Sequence, residues 1–349
     1  MERTQRSLET VVQDVADHIV TGDWDMELHD WEKGWAIKGL YETGQRAGDT
    51  RKLLDRAVET RMSEGQLSYG SLGITPYGWE PDWAKGAGEY QGIPDTAPMA
   101  ELALDVYEEE GDARYLDAAD AQYEFLQTIG RTDCGGIPMS RGSKELLTDS
   151  LWHMCPFLAR YGQVADEPHG FEDAVHQLDV HHDRLFDRHT GLYRQGWRES
   201  PNSFAQDTFW ARGVGWYTPA AVDTYELLPD DHDAKERIAD RIHTTAHALL
   251  DYQDASGFWH NTVDDRESPL ETSGTLMFVY TLAKAMDLDV LAEETFRSPT
   301  DRAFEACTGT IDDSGRVRRT AVVPGGPDAP LGVTLHGQGF YLLAASLYL

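Results

Sequence analysis

Apolar positions recur at three- and four-residue spacing along almost the whole chain, and the periodic segments fall into two alternating kinds. The first kind carries one apolar stripe on an otherwise charged surface: residues 4–20, 51–63, 113–128, 171–185, 233–252 and 291–306. The second is more apolar all round and rich in Gly, aromatic and small residues: 31–43, 96–109, 145–161, 208–227, 271–286 and 337–349. Stretches rich in Gly, Asp and Pro, residues that stop helices, separate them. A helix apolar all round must be buried, and an amphipathic one can cover it. The strict alternation therefore predicts six helical hairpins. Closed into a ring, they form an all-α fold, an (α/α)6 barrel whose apolar helices line a central funnel, with residues 1–349 as a single domain. An open solenoid fits less well: the repeats share no consensus, and the last helix, FYLLAASLYL, has no polar cap.

Composition narrows the partners. The chain has 61 acidic and 30 basic residues, a net charge of −31, with Arg far more frequent than Lys and no long block of like charge. Acids spread in this way keep a surface hydrated while concentrated salt screens their repulsion, so the expectation is a protein from a halophile. The same field repels phosphates, and there is no basic stripe, which excludes nucleic acid as a partner. Cys134, Cys155 and Cys307 are odd in number and lack metal-ligand spacing, as free thiols of a reducing cytoplasm would be. No apolar run reaches about 18 residues and the first helix is acidic, so neither a membrane span nor a secretory leader is expected. A monomer or a homodimer is equally compatible with the sequence.

Candidate chemistry concentrates at the starts of the apolar helices. Asp149 opens the segment LTDSLWHMCPFLARYG and is its only acid, which indicates either an N-cap or a desolvated acid with a raised pKa. Asp95, in GIPDTAPMAELAL, holds the comparable place on the preceding apolar helix, so both face the same mouth of the ring. Paired carboxylates across a cleft are the equipment of glycoside cleavage. Arg212 lies between Trp210 and Trp216 in TFWARGVGWY, an unusual setting for a solvated arginine. Its planar fork suits a ligand carboxylate, the alternative being a structural cation–π contact. Three aromatic loops, 68–83, 190–197 and 255–261, read as platforms for sugar rings. His176, His181 and His182 lack zinc-site spacing, and the GVG and GQG pairs lack a preceding strand, so no metal and no cofactor are expected.

These residues resemble the unsaturated glycuronyl hydrolases of glycoside hydrolase families 88 and 105 over nearly the whole chain. The likeness is clearest in DSLWHMCPFLARYG, in FWARGVGWY, and from YQDASGFWHNTVDD into ESPLETSGTLMFVYTLAKA; WEKGWAIKGLYE, which contains Trp35, matches more loosely. The resemblance implies an (α/α)6 barrel acting without metal on unsaturated uronyl oligosaccharides left by polysaccharide lyases, rhamnogalacturonan or pectin-type polymers foremost. It implies Asp149 as the acid/base that hydrates the vinyl ether, Asp95 as a second site aspartate, and Arg212, Trp210 and Trp216 as sugar-binding. Leu147, His153 and Gln195 depart from the family's usual Trp, Met and His; His153, Gln195 and Trp35 are further candidate substrate contacts. A sugar epimerase on the same toroid, using His153 and His336, and a non-catalytic sugar-binding protein are the competing readings.

Overall fold

The computed structural model describes residues 6–22, 30–59, 61, 64–67, 93–140, 142–323 and 325–349. Among these the helices are, in chain order, α1 (Leu8–Thr21), α2 (Asp30–Glu42), α3 (Ala47–Glu59), α4 (Ala97–Glu110), α5 (Ala113–Thr128) and α6 (Asp149–Val164). They continue as α7 (Pro168–Leu185), α8 (Ala211–Leu227), α9 (Ala234–Tyr252), α10 (Thr272–Asp287), α11 (Glu293–Thr308) and α12 (Leu335–Ser346). The even-numbered helices pack each on the next and α12 packs back on α2, which closes the ring as an (α/α)6 barrel. The odd-numbered ones lie outside. Burial explains the division: α10 is buried continuously from Thr272 to Ala283, whereas α9 buries only the stripe Ala234, Ile238, Ile242, Thr245, Ala246 and Leu249.

The closing seam depends on two glycines. A Cβ on Gly39 of α2 would stand 2.7 Å from the Gly339 carbonyl oxygen, and one on Gly339 of α12 would stand 2.6 Å from that of Trp35. Backbone therefore meets backbone where first and last inner helices join.

Short strands decorate the ring: β1 (Glu145–Leu147), β2 (Phe186–Asp187), β3 (Leu192–Tyr193), β4 (Gly196–Arg198), β5 (Ser203–Gln206), β6 (Trp259–His260), β7 (Leu270–Glu271), β8 (Thr320–Ala321) and β9 (Leu331–Gly332). The largest sheet has the order β1-β4-β5, antiparallel throughout. It corrects the expected helix over 145–161. Residues Glu145–Leu147 are a strand because Leu146 alone of the three is buried, opposite Trp197, a period of two rather than 3.6. Likewise Thr208 and Phe209 stay outside the helix, and Trp210 pairs with Thr262 before α8 begins.

Two of the three aromatic loops are anchors, not platforms. Tyr193 stacks on Tyr217 at 3.7 Å between ring centres, and the Trp259 indole N–H donates to the Leu249 carbonyl at 2.8 Å, tying β6 to outer helix α9. The third loop, 68–83, lies outside the described residues. Ion pairs tie neighbouring inner helices together: Lys38 to Glu101 at 2.6 Å, and Lys284 to both Asp223 and Glu226 at 2.7 Å. Among the described residues no helix is long and apolar enough to cross a membrane.

Candidate active site

Asp149 is placed by a strand running straight into a helix. β1 pairs with β4 in the register Leu147↔Gly196, and the Thr148 N–H donates to the Gln195 carbonyl at 2.9 Å. That register delivers the Gln195 side chain to Asp149, where its amide nitrogen lies 3.2 Å from Oδ2 and 3.5 Å from Oδ1. Asp149 is the first residue of α6 and is not its cap; Thr148 holds the N-cap position and makes no side-chain cap bond. Asp149 as a residue is half-buried. Burial raises its pKa, opposed by the Gln195 hydrogen bond and by the positive charge of Arg212.

Arg212 projects from the first turn of α8 and is 1% exposed. Its Nη1 donates to the Ala321 carbonyl at 2.7 Å and lies 3.4 Å from Ser273 Oγ and 3.3 Å from His336 Nε2. Its guanidinium lies 4.4 Å from the centre of the Trp210 ring. Among the described residues no carboxylate comes within salt-bridge distance, and Nε has no hydrogen-bond partner. Burial draws its pKa down, resisted by the charges of Glu271, Asp149 and Glu32. A buried cation of this kind, short of a counter-ion, is set up to receive an anion.

Two acids that sequence reasoning missed hold this cation in place. Glu271 accepts from the N–H groups of Ser273, Gly274 and Ala321, so it caps α10 and fixes the segment whose carbonyl binds Arg212. Glu32 accepts from His336 Nδ1 at 2.7 Å, both side chains buried. For Glu271 the sequence signal was an acid at an otherwise uncharged helix start, the signal that marked Asp149; Glu32, flanked by Asp30 and Lys33, carried none.

A layer of aromatic rings lies beside these charges. His153 follows Asp149 by one turn of α6; its Nδ1 accepts the Trp35 indole N–H at 3.0 Å, which leaves the ring proton on Nε2. Burial pushes its pKa down to about 3, so it stays neutral near pH 7. Trp35 itself is 0% exposed and stacked on Trp152 at 4.0 Å, which corrects its assignment as a sugar contact: it orients His153 from behind. Trp216, also buried, lies 4.8 Å from His153. The partly exposed ring is Trp31, centred 4.9 Å from His336, 5.6 Å from Trp216 and 6.1 Å from His153, with Arg212 at 6.0 Å. Sequence reasoning passed over Trp31 for its neighbour four residues on. Asp95 lies buried just before α4, at the same end of its inner helix as Asp149 on the next. The histidines of HQLDVHH are engaged elsewhere, His181 with the Gln177 carbonyl and His182 with the Tyr193 hydroxyl, each at 2.8 Å.

The family model of Glycosyl Hydrolase Family 88 matches residues 4–349. The chain belongs to that family. As a family 88 member it is a glycoside hydrolase with an α/α-barrel fold. It is 24% identical over 323 residues to the unsaturated rhamnogalacturonyl hydrolase YesR of Bacillus subtilis, covering 90% of this chain and 85% of that one. Among solved structures, a possible family 105 member from Salmonella enterica superposes with a TM-score of 0.82 at 24% identity, covering 100% of this chain and 95% of the other. The unsaturated glucuronyl hydrolase of Bacillus sp. GL1, responsible for glycosaminoglycan degradation, superposes at 0.69 with 16% identity, covering 96% and 93%.

Proposed function

We propose that this family 88 enzyme removes a 4,5-unsaturated uronic acid from the non-reducing end of oligosaccharides released by polysaccharide lyases, with rhamnogalacturonan or another pectin-type polymer as their source. The observation that carries this reading is the pairing of an acid whose pKa is raised by burial, Asp149, with a buried guanidinium, Arg212, that lacks a carboxylate partner. Arg212 takes the uronate carboxylate, Trp31 offers a ring face, the buried Trp210 backs the guanidinium, and the neutral His153 donates from Nε2.

Asp149, protonated, delivers its proton to C4 of the vinyl ether, and water adds at C5. The proton lost by that water returns to the Asp149 carboxylate. The C5 hemiketal then opens to a ketone and releases the leaving sugar, so atoms and charge balance without a metal or cofactor. A raised pKa serves both halves of the cycle, because the same group must hold a proton before the addition and recover one after it. Asp95, on the adjacent inner helix, is assigned to the sugar hydroxyls. The epimerase reading needs His153 to exchange protons near neutrality, and a pKa of about 3 opposes that.

The test follows the ultraviolet absorbance of the double bond conjugated to the carboxylate, using a lyase-generated oligosaccharide. The parent enzyme abolishes the absorbance; Asp149→Asn leaves it intact; Arg212→Ala raises KM by about 100-fold, the scale of a lost buried charge partner. Full activity in Asp149→Asn overturns the assignment of the acid.

A further inference from the structure

A cleft of about 670 Å³ opens on the rim of the barrel beside Arg212. One wall is β5 with the segment leading to α8, presenting Phe204, Gln206, Asp207 and Thr208; the other is the loop between β8 and β9, presenting Gly325 and Asp328. The second wall is fastened to the site. The Asn261 side-chain amide donates to the carbonyls of Gly326 and Pro327 at 3.1 and 2.8 Å, and its oxygen accepts the Trp210 indole N–H at 3.1 Å. The first wall is fastened too. Gly196 of β4, next to Gln195, pairs with Leu147 on one side and with Gln206 on the other. Two strand spacings, roughly 10 Å, therefore separate the Leu147 backbone, two residues before Asp149, from the cleft.

The cleft has a definite chemical character. Its described lining contains two carboxylates, Asp207 and Asp328, and no Lys, Arg or His. Phe204 is 44% exposed, a large apolar ring left open at the cleft. Arg194 lies behind that ring at 4.7 Å but is paired with Asp187 at 2.7 Å. Carboxylates and amides bind sugar hydroxyls, and an open aromatic face suits the C–H face of a pyranose. An anionic group placed between Asp207 and Asp328 meets like charge, and the neighbouring cation, Arg212 behind Gly325, is committed to the uronate.

We infer that this cleft holds the leaving sugar and selects a neutral one, discriminating against a sulfated or uronate-bearing sugar at that position. The inference rests on the proposed removal of an unsaturated uronate and deepens it. Arg212 accepts the one carboxylate the reaction requires, and the cleft next to it rejects a second anion. The division separates substrates of the rhamnogalacturonyl kind from sulfated ones within a single protein family.

The experiment compares two unsaturated uronyl disaccharides with rhamnose as the second sugar, which differ only by a sulfate ester on one rhamnose hydroxyl. At low salt, the neutral disaccharide has at least tenfold higher kcat/KM. In the double variant Asp207→Asn/Asp328→Asn the gap shrinks to less than threefold, mostly by recovery of the sulfated substrate, while Phe204→Ala raises KM for both. Equal use of the two disaccharides by the parent, or an unchanged gap in the double variant, overturns the inference. Calorimetric binding of both disaccharides to Asp149→Asn keeps this separate from the hydration chemistry. If the parent turns over neither disaccharide, the hydration reading falls. The cleft is then decided by binding: a neutral preference that the two Asn substitutions relax upholds it, and equal binding overturns it.

Discussion

The Gln195 side-chain amide reaches across from β4 to donate to Asp149 at 3.2 Å, and it is the largest influence opposing the rise in that acid's pKa. The two residues are 46 apart in sequence and meet because Leu147 pairs with Gly196. A donor stabilises the carboxylate over the acid. Gln195→Ala therefore moves the pKa of Asp149 further up. Protonation of C4 needs the acid form, so the alkaline limb of the kcat–pH profile shifts to higher pH in the variant. A shift to lower pH, or none, would remove Gln195 from the control of this acid.

Asp149 also leaves a signature in stability. Its folded-state pKa lies above the ordinary carboxylate value, so between the two values the folded protein binds a proton that the unfolded chain has released. Stability then falls as pH rises through the folded-state pKa. Asp149→Asn removes that dependence. The variant and parent have the same Tm below the ordinary carboxylate range, and the variant becomes the more stable of the two as pH climbs towards neutrality. Thermal unfolding at a series of pH values checks this, and parallel Tm–pH curves would contradict it.

The floor of the barrel is held by a buried charge that the site leans on. Asp223 accepts from Lys284 and from the Trp152 indole at 2.7 Å, and from the Tyr280 hydroxyl at 2.8 Å. Trp152 stacks on Trp35, which orients His153. Lys284 keeps the pKa of Asp223 below the usual value despite burial. Lys284→Met strands that carboxylate and costs about 3–5 kcal/mol. Adding Asp223→Asn recovers part of the loss, and urea unfolding of the four proteins in the cycle measures the coupling. Additive losses would show that the pair is not coupled.

The helical ring was legible because burial on all sides and burial on one side leave different patterns, and six alternations of the two have few geometric solutions. The start of α6 was misplaced because LLTD carries no period long enough to separate three strand residues from a helix; only pairing with β4, some fifty residues later, decides it. Trp35 was preferred to Trp31 since both stand in WEKGW and sequence does not say which face of α2 the funnel takes. Glu32 and Glu271 escaped notice for a related reason: each is satisfied by partners distant in sequence, His336 for Glu32 and the Ala321 N–H for Glu271. The platforms expected of Trp197 and Trp259 failed because Trp in a Gly-rich loop serves equally to pin the loop to the barrel, and here both indole N–H groups are taken by protein acceptors.

Gly325 is where backbone freedom protects the proposed anion site. Its φ is +92°, and a Cβ there would lie 2.4 Å from Arg212 Nη2 and 2.4 Å from the Trp210 ring. Gly326 has a similar φ of +105°, yet a Cβ there meets nothing closer than Gln206 Nε2 at 3.8 Å. Alanine at either position carries a comparable backbone penalty of about 1–3 kcal/mol. Only at 325 does the methyl group also push the guanidinium off the Ala321 carbonyl. Gly325→Ala therefore lowers Tm by more than Gly326→Ala, and kcat/KM for the unsaturated substrate falls at least tenfold more in Gly325→Ala, mainly through KM. Equal losses of activity in the two variants would mean that the position of Arg212 does not govern uronate binding.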